Sequence, residues 1–452
     1  MTVISISTYT VAQGSSSLLS KKDDPNCLGG MKLHIAIQDR NRNRQRASAK
    51  YGPISYWKLC REFLYGIDGL FFASGYDVGD LSRWDVGSVV SMRRLFNKKS
   101  FYNGDLSAWD VHNLRNAFRA FRGAGRFDGD LSRWDVGQVT DMREMFRDAR
   151  SFAGDLSRWD VAQCTDLRGT FRGAARFAAD LSQWDVSQVR DAARMFQDAS
   201  SFRAKLAAWD VGRMRDLERT FSGAFAFNGD LAAWDVGRTT RLRAAFDGAV
   251  MFDRDLVTWD VGGIEILDGL FCEAAFFDGD LAPWDVSRAT SMRMTFAGAF
   301  TFNGDLSAWD VRNVVDMSYL FAGASFFRGD LSRWNVERVE NMAHMFRGAS
   351  LFDGDLSLWD VRRPNNFSNM FVGASSFHQT LPWHLCIRHN NKMCSSMDKF
   401  YIAASQSAIV ILSGIIICLY FKCTESFDKR RTNTRNVDAI QEEHAPGIAA
   451  TV

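Results

Sequence analysis

Hydrophobic positions along most of this chain recur at one spacing, 25 residues. Leucine, tryptophan and valine keep the order Leu-x-x-Trp-x-Val, and a phenylalanine stands twelve residues after each tryptophan. The tryptophans run from Trp84 to Trp359 with no insertion or deletion between them. A second aromatic column, Tyr102 and then Phe127 to Phe352, lies seven residues before the next tryptophan. A fixed period of roughly 20 to 50 residues marks tandem units that bury their apolar faces only against neighbouring units.

Within one unit, Leu131-x-x-Trp134-x-Val136-x-x-Val139 predicts a short strand with Trp134 and Val136 turned inward. The stretch Thr140–Phe146, with apolar residues three and four apart, predicts a short helix. The Gly-Asp step before most of these leucines, such as Gly129-Asp130, predicts a turn. The expected fold class is therefore an α/β repeat solenoid. It is a leucine-rich-repeat-like stack of about twelve strand–turn–short-helix coils with Leu131, Trp134, Val136 and Phe146 in its core. The polar columns add one expectation: an aspartate follows every tryptophan from Asp85 to Asp360, except at Asn335.

Repeats such as Phe302-Asn-Gly-Asp-Leu-Ser-Ala-Trp-Asp-Val-Arg-Asn-Val-Val-Asp-Met-Ser-Tyr-Leu-Phe321 closely resemble the 25-residue repeat of BspA-like leucine-rich-repeat surface proteins. That repeat is also abundant in mycoplasma-type surface lipoproteins. The likeness spans about residues 66 to 385. It implies a leucine-rich solenoid displayed at a cell surface and used for adhesion or recognition.

Around the repeats (77–376) the chain divides further. Residues 1–50 are polar and end in a basic run of Arg40, Arg42, Arg44, Arg46 and Lys50, which predicts a disordered segment. Residues 51–76 read as an N-terminal cap and half repeat, with Leu70 and Phe71 in register, and residues 377–400 as a C-terminal cap. The uncharged run 402–421 is long enough for a transmembrane helix, leaving a short cytoplasmic tail at 422–452. More basic residues follow that run than precede it, so the repeats are expected outside, at the plasma membrane. Residues 1–20 show no recognisable signal peptide, which favours the opposite topology, a tail anchor with cytosolic repeats.

A net charge of +2 gives no overall excess to drive nucleic-acid binding. Cys27 with Cys60, and Cys386 with Cys394, are candidate cap disulfides, and Asn366 opens the one glycosylation sequon. His384, Cys386, His389 and Cys394 match no standard zinc spacing, so no metal is expected there. The aspartates after tryptophan are expected on the concave face of the strands, either as a calcium ladder or as acceptors for backbone and arginine. Arg83, Asp85, Arg133, Asp135, Arg158, Asp160 and Arg333 are the candidate partner-binding residues.

No nucleophile motif, phosphate loop or small-molecule site is recognisable, so neither an enzyme nor a cofactor is expected. The expected function is membrane-anchored recognition of a protein or glycan. The alternatives are a tail-anchored intracellular scaffold and a structural surface-coat component.

Overall fold

The computed structural model describes residues 27–60, 66–72, 78–361, 366–379 and 381. Cys386, Cys394, the run 402–421 and the tail 422–452 lie outside the described residues. Each 25-residue unit is one coil, and the coils stack in register. Isolated parallel bridges join the seventh residue after each tryptophan, in one series from Ser91 to Arg241 and a second from Ile266 to Asn366.

The strand expected at Leu-x-x-Trp-x-Val does not form. Trp134 N–H bonds the carbonyl of Leu131 at 3.0 Å, and Val139 N–H bonds that of Val136 at 2.8 Å. Two successive turns therefore use the donors that a strand would send across. Aspartate selects these turns: Asp130 accepts the N–H of Ser132 and Asp135 accepts that of Gly137. Both are Asx turns, in which the short carboxylate bonds backbone two residues on.

The helix expected at Thr140–Phe146 is also replaced. Alternate N–H groups leave the coil: Glu144 donates to Arg168, Phe146 to Thr170 and Asp148 to Arg172, at 2.9, 2.9 and 2.6 Å. Those between, Met145 and Arg147, close turns on the residue three before. The alternation requires positive φ at the tenth and fourteenth residues after each tryptophan, and the left-handed backbone ends any helix. At the fourteenth position eight of twelve residues are glycine, which takes that conformation without strain; at the tenth, residues such as Arg94, Glu144 and Tyr319 adopt it.

The core is a set of aligned ladders. Each indole from Trp109 to Trp359 donates its ring N–H to the leucine carbonyl 28 residues earlier, Trp209 to Leu181 at 2.9 Å for example. That leucine carbonyl also accepts the backbone N–H of its own coil's tryptophan. The two phenylalanine columns stack face to face, with Phe146 on Phe171 at 5.7 Å and Phe152 on Phe177 at 6.0 Å. Leu131, Trp134, Val136 and Phe146 are all buried, as expected.

At the N-terminal end, residues 30–51 are ordered, contrary to the expected disorder. Helix α1 (Gly30–Arg42) buries Leu33, Ala36 and Ile37, which share one face at helical spacing. Helix α2 (Arg44–Tyr51) follows Asn43, whose side chain caps it by accepting the N–H of Arg46. Cys27 and Cys60 form a disulfide, as proposed from the sequence. Trp84 bonds the carbonyl of Ile54, so this cap supplies the acceptor that an earlier coil would have given. The half repeat is present too: Ile67 and Gly69 donate to Ser91 and Arg93, and Phe71 stacks on Phe96.

Trp209→Phe keeps the ring in the core but leaves one lone pair of the buried Leu181 carbonyl unmet. A loss of about 1–2 kcal/mol in unfolding free energy is expected by denaturant titration.

Candidate recognition face

The bridge ladder carries a polar column of its own. Asn116, Asp141, Asp166, Asp191, Asp216, Asp316, Asn341 and Asn366 each accept the N–H two residues on through a side-chain oxygen. Where the position is Ser91 or Ser291, Asp68 or Asp268 of the preceding coil accepts the equivalent N–H. The column is thus first a backbone device, interrupted only at Arg241 and Ile266.

Its acids stand one coil apart, and arginines lie between them. Arg143 binds Asp141 at 2.7 Å and reaches Asp166 at 3.5 Å. Arg168 pairs with Asp191, and Arg241 binds Asp216 at 2.9 Å. Burial pushes the Asp166 carboxyl up to about 6; Asp191 adds to the rise, while Arg168 and Arg143 oppose it.

Beside this column Glu144 is buried among three guanidiniums, Arg119 at 3.0 Å, Arg147 at 3.2 Å and Arg122 at 3.3 Å. Burial alone would raise its pKa, but Arg147, Arg119 and Arg122 together hold it below the ordinary 4.5. One coil away, Phe118 is half-buried under arginine. The guanidinium carbons of Arg119, Arg143, Arg93 and Arg94 lie 4.6, 5.1, 5.6 and 5.6 Å from its ring centre. This is cation–π packing contributed by three successive coils.

The residues chosen from sequence stand elsewhere on the coil. Asp85, Asp135 and Asp160 each accept the backbone N–H two residues on, Gly87, Gly137 and Ala162. The reading as backbone acceptors therefore describes them, at turns rather than on a concave strand face. A Cβ at position 137 would lie 3.3 Å from Asp160 and 3.4 Å from Asp135, a close fit that His112 and Arg312 nonetheless occupy in other coils. Among the described residues, no three His, Cys, Asp or Glu side chains converge as a metal set.

Arg133, Arg158 and Arg333 are exposed. They stand beside Asp130, Asp155 and Asp330, whose carboxyls sit below the ordinary range through Ser132, Ser157 and Ser332 first and these arginines last. Arg133 and Arg158 occupy adjacent coils, while Arg333 lies far along the stack; Arg83 packs over Tyr56 at 5.0 Å. Asn366 is exposed, and its side-chain oxygen accepts the N–H of Ser368.

Sequence reading missed the Asp and Asn column of the bridge ladder and the arginines around Phe118. A signal existed for the first. Asp or Asn recurs seven residues after tryptophan in Asn116, Asp141, Asp166, Asp191 and Asp216, as regularly as in the column after tryptophan over those coils.

The stacked coils, joined by repeated polar and aromatic ladders, define a tandem-repeat protein. The chain belongs to the family described as "Mycoplasma protein of unknown function, DUF285", whose model matches residues 66–183, 129–234, 165–282, 203–307 and 267–384. Among curated proteins, none matches it. Among the described residues no helix is long and apolar enough to cross a membrane.

Two substitutions separate the roles of the ladder acids. Asp166 binds its proton more tightly folded than at its ordinary 3.8, so its ionisation lowers stability as pH rises through about 6. Asp166→Asn keeps the backbone acceptor and should unfold about 1–2 kcal/mol later than the parent at pH 8. The two should converge below pH 4, as thermal melts across pH will show. Glu144 has the opposite sign: its stabilisation is complete at neutral pH and fades as pH falls through its lowered value. Glu144→Gln removes the carboxylate that Arg119, Arg122 and Arg147 share and should cost about 3 kcal/mol at pH 7, measured by urea unfolding.

Proposed function

We propose that the chain is a membrane-anchored surface protein of the BspA-like kind, whose leucine-rich-repeat-like stack recognises a protein or glycan. The observation that carries the reading is the Cys27–Cys60 disulfide at the N-terminal cap, a bond typical of oxidising surroundings outside the cytosol. The same site presents hydrophobic residues to the core and varied, charged residues on its exposed corners, which suits recognition more than chemistry. The uncharged run 402–421, with more basic residues after it than before, supplies the anchor and orients the repeats outward. Asn366 is then a glycan acceptor. A tail-anchored scaffold with cytosolic repeats is the competing arrangement.

Protease added to intact cells decides between them. The proposal expects the 66–384 region to be digested, Cys27 and Cys60 to be recovered as one cross-linked peptide, and a glycosidase-sensitive mass to vanish in Ser368→Ala. Protection of the repeats until the membrane is opened, with both thiols free, would contradict it.

A further inference from the structure

Positive charge is not spread evenly along the stack. Between Val86 and Phe127 the chain carries Arg93, Arg94, Lys98, Lys99, Arg115, Arg119, Arg122 and Arg126 against only two acids, Asp105 and Asp110. Both acids are occupied in turns, accepting the N–H groups of Ser107 and His112. Further along, the same columns alternate in sign, as in Asp141 with Arg143 and Asp216 with Arg241. Arg93 and Arg94 are exposed and form no ion pair among the described residues. Asp68 of the preceding coil accepts the backbone N–H of Arg93. Arg94 is lowered in pKa by partial burial, then by repulsion from Arg119 and Arg93, with Glu144 and Asp68 opposing the shift. Arg119 is bonded to Glu144 and Arg143 to Asp141, so the excess charge of this cluster rests on Arg93 and Arg94, and a bound anion would offset it.

We propose that this corner, formed by Arg93, Arg94, Arg119 and Arg143 around Phe118, binds a linear polysaccharide carrying sulfate or carboxylate groups. The planar guanidinium fork matches such oxyanions with two parallel hydrogen bonds. The arginines come from three successive coils, whose stacked core rings Phe96, Phe121 and Phe146 stand 5.3 and 5.4 Å apart. That spacing is near the length of a single sugar unit, so a chain lying along the stack would meet a cation at each step.

Nucleic acid fits less well. Binding of single strands relies on aromatic faces open to bases, and the Phe118 ring is already flanked by guanidiniums from the coils before and after. The inference specifies the partner class of the surface-recognition reading and rests on it for its biological source. Binding in solution, however, is independent of topology, so either can fail without the other.

The test titrates the full chain with a fluorescent dextran sulfate oligosaccharide. Neutral dextran and an oligothymidylate of equal charge serve as comparison ligands. Anisotropy should show binding of the sulfated sugar, weaker binding of the oligonucleotide and none of the neutral sugar. The double variant Arg93→Ser/Arg94→Ser should bind at least tenfold more weakly, with unchanged tryptophan emission as evidence of folding. Arg243→Ser/Arg293→Ser removes two exposed charges from the equivalent column of later coils and should bind as the parent does. The inference is overturned by no binding of the sulfated sugar, by equal binding of the neutral sugar, or by tighter binding of the oligonucleotide. Parent-like affinity of Arg93→Ser/Arg94→Ser, or an equal loss in both double variants, would overturn it too.

Discussion

Each leucine of the repeat from Leu81 to Leu331 offers one carbonyl to two tryptophans, and the stacking of the coils depends on that shared acceptor. Leu131, for instance, accepts the backbone N–H of Trp134 within its coil and the indole N–H of Trp159 from the next. The buried carbonyl thereby has both lone pairs met without water, strand or helix. The geometry also fixes the period. From Trp109 to Trp359 every indole meets the leucine 28 residues back, so a constant unit length keeps each carbonyl opposite its ring. The absence of any insertion from Trp84 to Trp359 follows from this constraint. The aromatic columns then add dispersion along the same axis, since rings that repeat at one position face their own kind.

Backbone polar groups outside the core are met by two further devices. Aspartates before leucine and after tryptophan close turns within a coil, and the bridge-ladder column does the same where coils meet. Between these turns the chain alternates hands, so that every second N–H points to the following coil. The outcome is a stack with little regular secondary structure whose hydrogen bonds are nonetheless organised coil by coil.

The period, the core residues, the half repeat before Trp84 and the Cys27–Cys60 bond were all legible in the sequence, because each depends on spacing or on residue type alone. The strand and helix were not. Leu-x-x-Trp-x-Val has an apolar spacing compatible with a strand, and only the aspartates flanking it reveal that its N–H groups are spent on turns. Thr140–Phe146 has helical spacing, yet Glu144 takes a left-handed conformation that a glutamate does not advertise. Helices α1 and α2 were hidden because their basic composition outweighs the three apolar residues that α1 buries. At the surface, the aspartates after tryptophan drew notice through regularity, which reflects their turn role. Arginine recurs nine or ten residues after tryptophan in several coils, as at Arg93, Arg143, Arg94 and Arg119, but the convergence of these four on Phe118 needs the coil geometry to be seen.

Deleting one whole unit tests the shared-acceptor account most directly. Removing residues 184–208 brings Trp209 to the position of Trp184, three residues after Leu181, and restores every ladder. Removing residues 184–195 takes out about half as much chain but breaks the register. The account predicts that the whole-unit deletion unfolds cooperatively, with a tryptophan emission maximum matching the parent, while the shorter deletion loses the buried emission. Equal disruption by both, or better tolerance of the shorter deletion, would contradict it.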